Sequence, residues 1–113
     1  MTTDLHDKVA RIRHLNDLLR CQGIGGQVYV TRGIDALGEK KVKDVIREIA
    51  AFTAFTPDND PHREHDCALV KVGDLQVIWK IDYYDNDLRY HSPDASDACV
   101  TMRVMTVMLA EEY

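Results

Sequence analysis

The chain has no long hydrophobic run, no paired cysteine pattern and no complete catalytic signature, and each lack excludes something. None of its apolar stretches approaches the about 18 residues that a membrane-spanning helix needs, so no membrane partner is expected. The opening M-T-T-D-L-H-D-K carries early acids and no apolar segment, unlike a secretory leader. The three cysteines, Cys21, Cys67 and Cys99, are odd in number, far apart and without C-x-x-C spacing. That pattern predicts reduced thiols in a cytoplasm and not a disulfide framework. No internal repeat, low-complexity tract or linker divides the chain. Its 113 residues therefore predict one domain, 1–113, long enough to bury a core unaided.

What is present is unevenly charged. Residues 1–57 hold nine Lys or Arg against seven Asp or Glu, whereas residues 58–113 hold five against twelve, for a net charge of −5. An acidic C-terminal half repels phosphates, so no direct nucleic-acid binding is expected through it. Its plain consequence is a solvated acidic surface. Its sharper consequence is a patch offered to a basic protein partner, in the manner of a phosphate backbone.

Periodicity predicts the elements. Leu5, Val9, Ile12, Leu15 and Leu19 recur at helical steps, giving a first helix over Thr3–Arg20 with Thr3 as N-cap, Asp4 in its first turn and Gly23 after its end. The G-I-G-G run at 23–26 lacks the preceding strand and following helix of a phosphate loop and reads as a turn. Gln27–Thr31 alternates and is β-branched, so it predicts a strand, followed by a connector over Gly33–Gly38. A second helix spans Glu39–Phe52, with Val42, Val45, Ile46 and Ile49 inward and Lys40, Lys41, Lys43 and Arg47 outward.

The next stretch organises the rest. Cys67–Val72 and Leu75–Tyr83 read as a hairpin around Gly73-Asp74, a turn with Gly at its first central position. Counting outward pairs Val72 with Leu75, Val70 with Val77 and Ala68 with Trp79 on a core side. On the other side it pairs Lys71 with Gln76, Cys67 with Lys80, and His65 with Asp82. Asp85–Asp97 is dense in turn formers and predicts a loop. Asp97 or Ser96 would then cap a final helix over Ala98–Glu112, apolar almost all round, although the β-branched run V-T-M-R-V-M-T-V-M also suits a strand. The expected fold is α+β: a small, mainly antiparallel sheet of about three strands, in the order α-β-α-β-β-α, packed with helices.

Chemistry concentrates in Asp58–Asp66, D-N-D-P-H-R-E-H-D. Asp58, Asp60 and His62 alternate like the start of a calcium loop, but Arg63 stands where the required Gly belongs and Leu69 where the bidentate Glu belongs. His62-Arg63-Glu64-His65 is not H-E-x-x-H. A divalent metal on His65, Asp66 and Asp82, joined by Asp85, is the cofactor these residues allow; turn-building, with no cofactor, is the default. His65 beside Asp82 is a candidate oriented acid/base, with Lys80 one step along the same face. Cys67, opposite Lys80, is a candidate thiol nucleophile. Tyr83, Tyr84 and Tyr90 with His91 form an aromatic contact candidate.

At F-T-P-D-N-D-P (55–61), E-H-D (64–66), W-K-I-D-Y-Y-D (79–85) and M-L-A-E-E-Y (108–113) the chain resembles a family of short bacterial proteins of unknown function. That family is common in proteobacteria and often carried on mobile elements. The likeness runs from about the first helix to the C-terminus. The family pattern often has an aromatic and a Gly after E-H-D, where Cys67 and Ala68 stand here, which weakens a role for Cys67. The resemblance implies a shared fold but no activity, and an accessory role on mobile elements, with anti-defence as one form of it.

These observations favour a small, soluble, acidic interaction or regulatory module over an enzyme. Its expected surface comprises Asp58, Asp60, His62, Glu64, Tyr84 and Asp85, and its expected partner is a protein. A homodimer through the Met-rich last helix is a further expectation. The rival is a metal-assisted or acid/base hydrolase centred on His65, Asp66 and Asp82.

Overall fold

The first helix, α1 (Leu5–Gln22), turns its buried side inward through Asn16, Leu19 and Arg20. It closes where the Gly23 amide donates to the Leu19 carbonyl at 2.9 Å. The computed structural model describes residues 5–113, so the expected cap at Thr3 and Asp4 lies outside the described residues. Residues 23–26 join this helix to a strand, the reverse of a phosphate loop's order.

Strand β1 (Gly26–Val30) follows, the single turn α2 (Arg32–Asp35) begins the stretch expected as a connector, and helix α3 (Glu39–Ala51) and strands β2 (Cys67–Val72) and β3 (Leu75–Tyr84) lie, like β1, within a few residues of their expected bounds. In the β2–β3 hairpin the pairs Val72–Leu75, Val70–Val77, Ala68–Trp79, Lys71–Gln76 and Cys67–Lys80 all form. Gly73 takes the positive φ of 61° that the first central turn position demands.

The last element corrects the expected helix. Asp97 does cap a helical turn, its carboxylate accepting from the Cys99 amide at 2.9 Å. That turn stops at Val100, and the chain enters strand β4 (Met102–Leu109) before a closing turn at Ala110–Glu112. Arg103, Met105 and Val107 are buried on one side of β4, and Met108 is buried as well. β4 has a neighbour on each edge, one face is buried, and no residue on the other is more than half-exposed. Its sequence is therefore apolar nearly throughout, like that of a buried helix. With no last helix, the expectation of a dimer through it loses its element.

The sheet has four strands in the order β1-β4-β3-β2. It is mixed: β4 runs parallel to β1 and antiparallel to β3. The β1–β4 pairing requires Gly26, where an added Cβ would lie 2.5 Å from the Arg103 carbonyl oxygen. The fold is thus α+β as expected, with one strand more. Helices α1 and α3 lie on the face that carries Val70, Val77, Trp79, Ile81, Met105 and Val107, and contribute Leu19, Val45 and Ile49 to a continuous core. Among the described residues, no helix is long and apolar enough to cross a membrane.

Candidate functional site

The segment between α3 and β2 is held by its own side chains. The Thr56 amide donates to Asn59 Oδ1 at 2.8 Å, and the Asn59 amide donates back to Thr56 Oγ1 at 3.2 Å. Asn59 Nδ2 also reaches the Ala54 carbonyl at 2.9 Å. Asp60, 5% exposed, accepts from the His65 amide through Oδ1 at 3.1 Å, while its Oδ2 lies 3.6 Å from His65 Nε2. These contacts fold residues 56–65 into a knot whose centre is the His65 ring.

That ring lies flat on Phe55, with centroids 3.6 Å apart and planes within 6°. Its Nδ1 meets Asp17 of α1 at 2.9 Å. Phe55 in turn packs edge-on against Phe52 and Trp79, and Trp79 Nε1 donates to the His65 carbonyl at 3.3 Å. Arg20 closes the cluster. Its guanidinium lies 5.3 Å from the Phe55 ring centroid and 5.0 Å from that of Trp79. Arg20 also donates to Asp17 at 3.1 Å and to the Ile49 and Phe52 carbonyls at 2.8 and 3.0 Å, satisfying the open C-terminal end of α3.

A second polar cluster adjoins it. Asn16 donates to the Glu64 carbonyl at 3.0 Å and to the Tyr83 hydroxyl at 2.7 Å, and its Oδ1 accepts from Arg103 Nε at 2.8 Å. Tyr83 donates to Glu64 Oε1 at 2.7 Å. Burial, together with the Glu64 contact, pushes the Tyr83 phenol well above its ordinary range. Arg103, 2% exposed, also donates to the Ala95 carbonyl and stacks over Tyr83, and burial lowers its pKa. Its Nε and Nη2 thus both find acceptors, which offsets part of the cost of burying the charge.

His65 and Asp82 do not meet. The ladder ends at Cys67–Lys80, and His65, at a positive φ of 56°, leaves the strand direction before pairing can reach it. Its ring instead joins the Phe55–Trp79 side, while Asp82 lies on the opposite face with Lys80, 3.0 Å away. Asp66 supplies a backbone acceptor to the Ile81 amide at 2.7 Å, and burial raises its carboxyl pKa. Among the described residues, no three His, Cys, Asp or Glu side chains are grouped to hold a metal ion. Burial outweighs the attraction of Lys80 at Cys67 and raises its thiol pKa, which disfavours the thiolate a nucleophile needs. Of the expected surface residues, Asp58 and His62 are exposed, Glu64, Tyr84 and Asp85 are half-buried, and Asp60 is buried.

The uncovered face of the sheet holds the remaining candidates. Alternation and register place Leu69, Ile78 and Met108 in one row across it, Cys67, Lys80, Thr106 and Tyr29 in the next, and Asp82, Val104 and Gln27 in a third. Leu69 is 49% and Tyr29 55% exposed. Tyr84, paired with Met102, ends this face, and the acidic turn that begins at Asp85 follows.

Residues 30–112 match the family described as protein of unknown function (DUF3768). The chain belongs to that family. The DUF3768 match begins after α1, later than the resemblance in sequence suggested. Asn16, Asp17 and Arg20 therefore lie outside it, although they anchor the 55–66 segment inside it. No curated protein and no solved structure matches the chain.

Sequence reasoning missed those three helical residues and Arg103. One signal was available: Asn16 is four residues after Ile12 and three before Leu19, on the apolar stripe itself. A polar residue placed there needs a buried partner.

Proposed function

We propose that the protein is an interaction module that docks a protein partner on the uncovered face of its sheet. The observation that carries this reading is the one-sided architecture. Helices shield one face, while Leu69, Ile78, Val104 and Tyr29 leave the other half-exposed and part apolar. Exposed apolar area rimmed by polar groups is the signature of a contact surface. Lys80 and Asp82 sit within it as a rim-type ion pair, and the Asp85–Asp87 turn makes its far end acidic. The complementary partner presents apolar side chains beside basic ones, as the acidic C-terminal half also suggests. A partner belonging to a host defence system is the narrower form of this proposal.

The test compares Ile78→Glu with Arg47→Glu, the latter on the exposed side of α3, with circular dichroism confirming that both fold. The reading expects a partner captured by the wild type and by Arg47→Glu but lost with Ile78→Glu. A partner retained by Ile78→Glu, or none captured by any form, would count against it. Sedimentation of the wild type checks whether the occupant is a second copy.

A further inference from the structure

On the helix-covered side, an open cleft of about 480 Å³ lies between α1 and the 55–65 knot. Its size falls within the range of small-molecule sites. Phe55, His65, Pro57 and Pro61 give it ring and apolar surface, and Arg13 and Arg63 are among its polar lining.

Three features give this cleft a chemical preference. The first is a pair of guanidinium groups outside any ion pair. Among the described residues, neither Arg13 nor Arg63 forms an ion pair, and Arg13 spends only one donor, Nη1, on the Arg63 carbonyl at 2.9 Å. Asp60, the acid in the lining, is turned toward His65, accepting from its amide through Oδ1 at 3.1 Å with Oδ2 3.6 Å from Nε2. The second is a flat surface. One face of His65 is covered by Phe55, its nitrogens face Asp17 and Asp60, and the side chain stays 21% exposed in the lining of the cleft. The third is strain. Arg63 and His65, neither of them glycine, hold positive φ values of 61° and 56°. Such backbone persists where the surroundings over-determine it and clusters at ligand sites.

We propose that this cleft binds a small planar ring carrying an anionic group, the ring stacked as a third layer on His65–Phe55 and the anion held by Arg13 and Arg63. Guanidinium forks match carboxylate and phosphate geometry equally well, so the shared chemistry is a ring-borne oxyanion. This site is separate from the docking face and does not depend on it.

The experiment titrates the full chain with adenosine monophosphate, benzoate and inorganic phosphate at low salt, following the His65 ring protons by NMR. Saturable upfield movement of those protons is expected with a ring-bearing anion, at millimolar affinity or better. Arg13→Gln with Arg63→Gln should weaken it at least about tenfold, with circular dichroism confirming that the double variant folds. Arg47→Gln should leave it unchanged. Stronger binding by the nucleotide assigns a phosphate-bearing ligand, and stronger binding by benzoate a carboxylate-bearing one. No saturable shift with either ring compound overturns the proposal. So does inorganic phosphate binding as tightly as both, or affinity that survives the double arginine substitution.

Discussion

The two faces of the sheet differ in how their polar side chains are used. On the helix-covered face, Asn16, Asp17, Arg20, Asp60, His65, Tyr83 and Arg103 form hydrogen bonds that join α1, the 55–66 segment, β3 and β4. On the uncovered face, Lys80 and Asp82 pair with each other beside half-exposed apolar residues. The unusual residues of the 55–66 motif bond to one another and to α1, while the uncovered face, proposed above as the docking surface, is made of ordinary ones. Concentrated chemistry in a sequence therefore also marks where satisfaction of buried groups is demanding.

Stability measurements sharpen this contrast. Trp79 is 0% exposed, beneath Arg20 and against the rings of Phe52 and Phe55, so Trp79→Ala should cost about 4 kcal/mol of stability, read by urea denaturation. Asp60→Ala leaves the His65 amide without its acceptor and should cost about 2 kcal/mol, with loss of the strained conformation visible in the His65 amide resonance. On the other face, a double-mutant cycle on Lys80 and Asp82 should give a coupling under about 1 kcal/mol, because both side chains are more than a third exposed. If Lys80→Ala proved as costly as Asp60→Ala, the distinction between the faces would fail.

The smallest effect is pH-dependent. The Glu112 carboxylate accepts from the Thr31 hydroxyl at 2.6 Å, then from the Leu109 and Gly33 amides at 2.8 and 3.1 Å, and these bonds hold its pKa below the ordinary 4.5. A lowered folded pKa stabilises above the ordinary value, and that stabilisation disappears as pH falls through the lowered one. Asp66 has the opposite sign: burial raises its pKa, so its contribution is complete below 3.8 and is lost as pH rises through the raised value. Glu112→Gln should therefore flatten the acid side of the stability curve, and Asp66→Asn should steepen the net loss there. Denaturation midpoints from neutral pH down through the carboxylate range measure both.

The hairpin was legible residue by residue because its signals are local. Strict alternation from Leu75 to Tyr83 and a glycine with the required turn conformation determine which side chains face the core. Helices α1 and α3 and strand β1 followed from periodicity for the same reason. The partner of His65 did not, because Asp17 is 48 residues away and a left-handed residue breaks the register that pointed to Asp82. Nor did β4, whose sequence suits a buried helix as well as a central strand. By itself the sequence determined the α+β class, the hairpin and its register, and the inward stripes of the helices, since each depends on a repeat within one segment. Only the tertiary structure decided that the last segment is a strand between β1 and β3, that α1 anchors the motif, and that one sheet face stays uncovered. Those outcomes depend on distant segments burying one another's apolar surface and satisfying one another's polar groups.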